Sequence, residues 1–137
     1  MDILEISATE TERLEQIVRE VGWRRTEAGD IESAPGTIPI VVYPHHKVMV
    51  AIEDGKIRGL LFVAPHRNAH GITCYAEIKY LRSFPERQGT GRALVRKLQE
   101  RGGMSEITLT ALPGSYGFYE KMGFKPRGHS CYFKSPC

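Results

Sequence analysis

The sequence predicts an α/β fold in which one mixed β-sheet carries helices on both faces. The prediction rests on a β-α-(loop)-β-β-β-α-β-α-β order of elements, which hydrophobic periodicity and glycine punctuation indicate. It also rests on size, because 137 residues, 41% of them hydrophobic, can bury one substantial core. No internal repeat and no linker interrupts the chain, so we expect residues 1–137 to form a single compact domain.

The N-terminal segment has the pattern of a strand followed by an amphipathic helix. Ile3–Ile6 alternates apolar and polar residues, as a half-buried strand does. Thr9 and Glu12 have the spacing of a capping box, with Thr9 at the N-cap and Glu12 at N3. Gly22 is the expected C-terminal stop of this helix. Its apolar residues recur at i, i+3, i+4 and i+7, and they are Leu14, Ile17, Val18 and Val21.

An antiparallel hairpin is predicted in the middle of the chain. Val48–Glu53 is the first strand, Asp54-Gly55 is a tight turn, and Ile57–Ala64 is the return strand. The return strand is nearly continuous in apolar residues, which indicates burial on both faces. In residues 23–46 the pattern is weak because glycine and proline interrupt it. There we expect a loop with one short helix or an edge strand.

The second half of the chain alternates strands, loops and helices. In chain order, we predict a polar loop at Pro65–Gly71, a strand at Thr73–Leu81, a loop at Glu86–Gly91, a helix at Gly91–Arg101, a strand at Glu106–Ala111, a helix at Ser115–Met122 and a closing strand at His129–Lys134. Gly102-Gly103 ends the first of these helices. Gly123, followed by Phe124, ends the second helix as a Schellman motif does.

Composition and charge narrow the class of protein. No apolar run approaches the roughly 20 residues of a membrane span. The first residues also lack the basic and apolar regions of a signal peptide, so we expect a cytoplasmic protein. A net charge of +3 does not by itself predict a nucleic-acid partner. Cys74, Cys131 and Cys137 form no CxxC pair, which argues against a disulfide framework and against a structural metal.

A strand, a glycine-containing turn and a helix meet at residues 84–94, FPERQGTGRAL. The first N–H groups of a helix have no partner within it, and glycine lets a ligand come close, so such a helix start suits an anion. Arg87 and Arg92 flank this start, where a cation is unfavourable by about 0.3–1 kcal/mol unless an anion is present. The spacing matches neither a P-loop nor a dinucleotide-binding fingerprint. An ordinary turn between a strand and a helix is the alternative.

The last helix carries a second motif, GFYEKMGF at residues 117–124. Phe118, Tyr119 and Met122 share one face at helical spacing. Packing of this stripe into the core is the simpler interpretation. Alternatively, Tyr119 points its hydroxyl into a cleft while its ring stays buried.

Together, the two motifs resemble those of the GNAT superfamily of acyl-CoA-dependent N-acyltransferases. The first family pattern, Gln/Arg-x-x-Gly-x-Gly/Ala after Pro-Glu, is matched in register by Gln88, Gly91 and Ala93. The second, a helix ending in FYEKxGF, is matched letter for letter by residues 118–124. A helix and a strand separate the two motifs, as in the family. The resemblance covers residues 47–126.

The resemblance implies a GNAT-like central mixed sheet that is splayed at its middle strand, for which Glu77–Leu81 is the candidate. It also implies acetyl-CoA as co-substrate and no metal. The amides of the glycine loop would bind the CoA pyrophosphate, and the end of the central strand would pair with the pantetheine arm. The residues to which the resemblance assigns these contacts are Leu81, Arg82, Ser83, Arg87, Gln88, Gly89, Thr90, Gly91, Arg92, Ala93 and Leu94.

Acyl transfer to an amine needs a proton acceptor for the amine, donors for the oxyanion and an acid for the thiolate. The resemblance implies Tyr119 as the acid. Glu77 is the first candidate for the base, because it lies on the central strand, where some family members place one. A solvated strand carboxylate is the alternative role for Glu77. The rival bases are histidines of neighbouring loops, namely His45, His46, His66 and His70.

The sequence therefore predicts an N-acetyltransferase that transfers an acetyl group to a primary amine by direct attack. The acceptor would be a small-molecule or peptide amine, and the protein a monomer or a homodimer. A non-catalytic acyl-CoA-binding regulatory module is the main alternative. A nucleic-acid binder that uses the arginines between Arg82 and Arg101 would need basic and aromatic residues to be interleaved, and they are not.

Overall fold

The chain folds around a seven-stranded mixed β-sheet, seen in a computed structural model that describes residues 1–70, 73–85, 89–111 and 114–134. In chain order, the elements are β1 (Asp2–Ser7), α1 (Thr11–Glu20), β2 (Arg24–Arg25), β3 (Ile31–Glu32), β4 (Lys47–Glu53), β5 (Lys56–Arg67), β6 (Thr73–Ser83), α2 (Thr90–Arg101), β7 (Glu106–Leu109), α3 (Tyr116–Lys121), β8 (Lys125–Arg127) and β9 (Ser130–Lys134). The strand order in the large sheet is β1-β4-β5-β6-β7-β9-β8. Strands β6 and β7 run parallel, and the other neighbours run antiparallel.

The central strands supply side chains alternately to two cores. In β5, Leu61 and Val63 enter one core, whereas Leu60 and Phe62 enter the other. The first core is covered by α2 and α3, through Leu94, Val95, Leu98, Tyr119 and Met122. The second is covered by α1 and the segment after it, through Leu14, Val18, Trp23, Ile31 and Ile40. The predicted mixed sheet with helices on both faces is confirmed, as is the burial of β5 on both faces.

The capping box predicted at Thr9 and Glu12 is wrong. Helix α1 begins at Thr11 with Glu10 as its N-cap, and no side chain caps it. The Glu10 carboxylate instead accepts a hydrogen bond from the Ser7 N–H at 2.8 Å. The Thr9 N–H donates to Ser7 Oγ at 3.3 Å. Ser7, Thr9 and Glu10 thus form a turn directly after β1, and Thr9 belongs to this turn and not to a helix cap.

Residues 23–46 form a loop with two short strands, so of the two predicted alternatives, a short helix or an edge strand, the structure has strands and no helix. Arg24–Arg25 pairs antiparallel with Ile31–Glu32. Ile31 also bridges to Ile40 through two backbone hydrogen bonds, of 3.0 and 2.7 Å. Both isoleucines are buried in the core under α1, so this pairing fixes the course of the segment.

Strands β5 and β6 are longer than the sequence predicts. β5 runs to Arg67 and β6 to Ser83, so the polar loop predicted from Pro65 begins later. β4 begins at Lys47, opposite Val63, and after Val63 β5 pairs only with β6 in the described sheet. Proline has no N–H to donate. Pro65 is tolerated at this position because an edge strand needs no hydrogen bond on its open side.

β6 changes its partners along its length. Its parallel ladder with β7 covers only Tyr75–Ile78. Phe62 and Val63 are consecutive in β5, but they pair with Tyr80 and Ile78 of β6. Lys79 is therefore the extra residue of a bulge in β6. From Lys79 to Ser83, one edge of β6 continues to pair with β5, and no described strand pairs with its other edge. The sheet is therefore splayed at its middle strand, as predicted.

The chain ends in a hairpin of β8 and β9 instead of a single closing strand. The sequence analysis missed β8 because its three residues are all exposed and show no apolar alternation. Gly123, with φ of 93°, ends the α3 region as predicted, and β9 begins at Ser130. Within the described ranges, no helix is long and apolar enough to span a bilayer.

Candidate functional site

A cleft of about 1040 Å³ opens where β6 and β7 separate. Five parts of the chain meet around it: the end of β6, the end of β7, the start of α2, the start of α3, and a segment between β3 and β4. The described residues that line it are Ile38–Val41, Ile78–Ser83, Gly89, Gly91, Arg92, Leu109, Thr110, Ser115, Phe118 and Tyr119. The cleft thus joins an unpaired strand edge to the N-terminus of a helix.

Helix α2 begins at this cleft without a side-chain cap. Its N-cap, Gly89, has φ of 75°, a left-handed conformation that glycine adopts without strain. The first turn contains no acidic residue, and Arg92 lies exposed there. The positive end of the helix dipole therefore faces the cleft without a carboxylate in that turn to neutralise it. Such a helix start is suited to bind an anion.

Two glycines let α2 approach the sheet closely. A Cβ atom on Gly91 would lie 3.3 Å from Ser83 Oγ, and one on Gly59 only 2.6 Å from Thr90 Cγ2. The start of α2 is thereby fixed against β5 and β6. The sequence analysis did not single out Gly59, although a glycine within an apolar strand indicates close approach of another backbone.

Tyr119 lines the cleft from α3, and most of its ring is buried in the core. It is 8% exposed, and the rings of Phe118 and Phe124 contact it edge-on, with centroids at 5.0 and 5.5 Å. Burial raises the pKa of Tyr119 to about 12, and the neighbouring Cys131 thiol adds to the shift. The phenol is therefore protonated at neutral pH and has a proton to donate.

Glu77 lies on β6, directly before the cleft-lining Ile78. Its Oε1 accepts a hydrogen bond from His66 Nε2 at 3.2 Å, and its Oε2 lies 3.6 Å from Lys79 Nζ. The His66 ring stacks on Tyr75 with centroids 4.4 Å apart and planes 6° from parallel. The Glu77 side chain is 32% exposed, so solvent or a substrate can reach the oriented carboxylate.

His46, one of the rival bases, is buried and hydrogen-bonded to the backbone. It is 4% exposed, and its Nδ1 accepts a hydrogen bond from the Tyr43 N–H at 3.2 Å. Burial lowers the pKa of His46, and the nearby His45, Lys79 and His66 lower it further. A neutral imidazole is what the bond to Tyr43 requires, so this arrangement holds the turn before β4 in place.

The predicted cofactor-binding residues fall into three groups. Those that line the cleft are Leu81, Arg82, Ser83, Gly89, Gly91 and Arg92. Those that lie in the first turns of α2 beside it are Thr90, Ala93 and Leu94, with the side chains of Thr90 and Leu94 buried. Arg87 and Gln88 lie outside the described residues. Among the residues that the structure describes, no cluster of three or more His, Cys, Asp and Glu side chains could hold a metal ion.

Sequence reasoning missed two parts of the cleft. Ile38–Val41 forms one wall, but proline interrupts its apolar pattern, so nothing in the sequence placed it there. Lys79 also lines the cleft, because the bulge in β6 changes the direction of the strand at this residue. A bulge depends on the register of the partner strand, which the sequence of β6 does not contain.

Comparisons with known proteins agree with this geometry. A family model described as an acetyltransferase (GNAT) domain matches residues 40–135. No curated protein sequence matches the chain. An aminoglycoside acetyltransferase, HMB0005, from an uncultured soil metagenomic sample shares its fold, with 22% identity over 92% of each chain and a TM-score of 0.64.

Two further solved structures share the fold. GCN5 from Tetrahymena is 18% identical over 71% of this chain and 72% of its own, with a TM-score of 0.59. A GNAT family acetyltransferase from Brucella melitensis, in complex with acetyl-CoA, is 23% identical over 66% of this chain and 59% of its own, with a TM-score of 0.50. Since the family model spans most of the sequence, the chain belongs to the GNAT family of acetyltransferases.

Proposed function

We propose that this chain is an N-acetyltransferase that moves the acetyl group of acetyl-CoA directly to a primary amine. The observation that carries the proposal is the cleft, which joins the free edge of β6 to the start of α2. A ligand with an extended, amide-containing arm and a pyrophosphate has a partner for each part in such a cleft. Family membership and the acetyl-CoA in the Brucella structure support the same ligand.

The chain offers charged and backbone groups for each part of acetyl-CoA. The N–H groups of Gly89–Arg92 would bind the pyrophosphate, with Arg92 adding a positive charge at the same end. The Ala93 N–H already donates to the Gly89 carbonyl at 3.1 Å, so the free donors end at Arg92. The backbone of Leu81–Ser83 would pair with the pantetheine arm, because that stretch of β6 lacks a strand on its β7 side. Arg82 lines the cleft between these two regions and would face the phosphates.

The acceptor amine must lose a proton before or during its attack. An alkylammonium with a pKa of ~10.4 is only about 0.04% neutral at pH 7, so a base at the site increases the reactive fraction. Glu77 would take this proton, directly or through a water molecule. His66 and Lys79 would act as positioning residues, since they contact the two carboxylate oxygens of Glu77.

Attack then forms a C–N bond at the thioester carbonyl and places negative charge on its oxygen. Backbone N–H groups of the splayed part of β6, near the bulge at Lys79, would stabilise that oxyanion. When the C–S bond breaks, Tyr119 would donate its proton to the leaving sulfur. The products are the N-acetylated amine and CoA with a free thiol. Tyr119 and Glu77 then return to their starting protonation states by exchange with water.

Calorimetric titration with acetyl-CoA, with free CoA for comparison, tests the first part of the proposal. We expect saturable one-site binding that Arg92→Glu weakens by about tenfold, the effect of losing roughly one charge-assisted contact. Arg96→Glu is the matched control, because Arg96 is exposed one turn later on the same helix and does not line the cleft. No binding by the unaltered protein would overturn the proposal.

Thiol release with a panel of primary amines tests the second part. An enzyme releases CoA thiol only when an acceptor is present, and mass spectrometry of the amine then shows a gain of one acetyl group. Binding of acetyl-CoA without turnover on any amine would instead favour the non-catalytic acyl-CoA-binding module.

A further inference from the structure

The charges along the cleft are of one sign. The described lining contains three cationic side chains, Lys79, Arg82 and Arg92, and no aspartate or glutamate. The neighbouring carboxylate, Glu77, does not line the cleft and is already in contact with His66 and Lys79. With acetyl-CoA bound, Arg82 and Arg92 would face its phosphates, so Lys79 is the cation left for the acceptor. A second ammonium group on the acceptor would meet Lys79 and would find no carboxylate in the described lining.

The wall opposite the sheet is apolar and exposed. Ile38 is 92% exposed and Val41 is 42% exposed, and the adjoining Tyr43 is 56% exposed. Three of the five large hydrophobic residues that the described chain exposes thus lie in one short segment, and two of the three, Ile38 and Val41, line the cleft. Exposed apolar residues concentrated at a concave site indicate contact with an apolar ligand.

The wall is held in place before any ligand binds. Ile40 makes two backbone hydrogen bonds to the fully buried Ile31 and is itself 8% exposed. The N–H of Tyr43 is bonded to the buried His46. On the other side of Ile38, the Thr37 N–H donates a hydrogen bond to the Ala34 carbonyl at 3.2 Å. Because bonds at Thr37, Ile40 and Tyr43 flank Ile38 and Val41, these two residues present a preformed apolar surface rather than one that must be ordered on binding.

We propose that the acceptor is a primary amine with an apolar body and no second cationic group. The inference rests on the proposed function, because it assigns the acceptor half of the same cleft. The apolar wall and the nearby Lys79 ammonium both disfavour the charged form of the reacting amine, which assists its deprotonation. The same two features exclude an acceptor that must keep another ammonium group desolvated beside them.

Hexylamine and 1,6-diaminohexane form the critical pair of acceptors, since they differ by a single amino group. Initial rates of thiol release at saturating acetyl-CoA give kcat/KM for each. We expect hexylamine to be preferred by at least about tenfold after correction for the two equivalent groups of the diamine, the discrimination typical of one unfavourable contact in a pocket. 2-Phenylethylamine should also react, and kanamycin, which carries several ammonium groups, should not.

Ile38→Glu should abolish the preference, because it places a carboxylate in the wall. We expect the hexylamine-to-diamine ratio to fall by about tenfold or more, as a gained ion pair and a lost apolar contact act together. Leu4→Glu is the matched control, since Leu4 is 41% exposed on β1 and does not line the cleft. It should leave the ratio unchanged.

The possible outcomes separate the two proposals. A preference for the diamine or for kanamycin would overturn the acceptor class, as would a ratio that Ile38→Glu leaves unchanged in a folded variant. Turnover of no apolar amine by a protein that still binds acetyl-CoA would also overturn it. Failure to bind acetyl-CoA would overturn the proposed function, and the acceptor class with it.

Discussion

His66 Nε2 lies 3.2 Å from Glu77 Oε1, across the antiparallel pair formed by β5 and β6. Neither residue is buried, since their side chains are 39% and 32% exposed. Their alignment comes from the backbone and from stacking of the His66 ring on Tyr75. The pair orients one oxygen of the Glu77 carboxylate, one residue before the cleft-lining Ile78, and leaves the carboxylate accessible.

The first prediction concerns this pair. Glu77→Gln should lower kcat by about 10²-fold, the usual effect of losing a placed general base, and should leave the Kd for acetyl-CoA unchanged. The loss should shrink as the pH is raised toward the pKa of the acceptor amine, because the neutral amine then needs no base. The measurement is a pH profile of kcat for both proteins.

A double-mutant cycle shows whether His66 acts through Glu77. His66→Ala alone should lower kcat, but it should cost little more once Glu77 is already glutamine, because residues in direct contact are not additive. Glu53→Gln, at an exposed position on β4, is the control for removal of a carboxylate. Additive losses would mean that His66 does not work through Glu77, and an unchanged rate in Glu77→Gln would remove Glu77 from the mechanism.

The second prediction concerns Tyr119. Tyr119→Phe removes the proton donor and keeps the buried ring, so kcat should fall by about 10²–10⁴-fold while acetyl-CoA binding stays within about twofold. Because the pKa of Tyr119 is raised to about 12, the rate should show no loss from its ionisation below pH 10. Steady-state kinetics between pH 6 and 10 and calorimetry measure both quantities.

Tyr116→Phe supplies the matched control for Tyr119. It removes the same atom from the same helix at a residue that does not line the cleft. Its kcat should stay close to that of the unaltered protein. If both variants lost activity equally, the effect of Tyr119→Phe would reflect disturbance of α3 and not loss of an acid.

The third prediction concerns Gly59, which determines how closely α2 approaches the sheet. A methyl group at Gly59 would lie 2.6 Å from Thr90 Cγ2 and 3.1 Å from the Arg82 carbonyl oxygen. Since a backbone atom cannot yield easily, Gly59→Ala should lower the free energy of unfolding by about 1–3 kcal/mol, the usual cost of overpacking. It should also weaken acetyl-CoA binding, because the N-terminus of α2 must shift.

Gly117→Ala is the control for that substitution. No atom lies within 4 Å of the methyl group that it adds on α3. Alanine is the better helix former by up to about 1 kcal/mol, so this variant should be as stable as the unaltered protein or slightly more so. Urea titrations of the two variants make the comparison, and equal stabilities would refute the packing argument.

The sheet and the two cores could be predicted because each depends on local periodicity. Ile57–Ala64 indicated a strand buried on both faces, and it is one. The contact between His66 and Glu77 could not be predicted, because Pro65 and the polar residues after it indicated a loop. In the structure these residues extend β5, because they pair with β6. On their other side no described strand pairs with them, so the N–H that Pro65 lacks is not needed.

Part of the cleft could likewise be predicted from sequence motifs, and part of it could not. Tyr119 and the start of α2 belong to motifs that the sequence displays, and the fold brings them to one cleft. The wall at Ile38–Val41 has no motif, and its position depends on the pairing of Ile40 with Ile31. The wall at Ile38–Val41 therefore could not be predicted from local pattern, whereas Tyr119 and the start of α2 could.

The last prediction concerns His46 and the pH dependence of stability. Its folded-state pKa is lowered from 6.5, first by burial and then by His45, Lys79 and His66, with Glu77 opposing them. Between the folded and unfolded pKa values, the unfolded chain binds more protons at this residue, so stability rises with pH. The contribution of His46 is therefore complete above about pH 6.5 and is lost as the pH falls through the lowered value.

Urea unfolding at pH 7.5 and at pH 5.5 measures this effect. The unaltered protein should be less stable at pH 5.5, and His46→Gln should reduce the difference because glutamine does not titrate. His129→Gln, at an exposed histidine, should leave the difference intact. Protonation of His46 also removes the acceptor for the Tyr43 N–H, so KM for an apolar amine should rise at pH 5.5 more in the unaltered protein than in His46→Gln. The same pH dependence in both proteins would show that His46 does not couple protonation to the wall of the cleft.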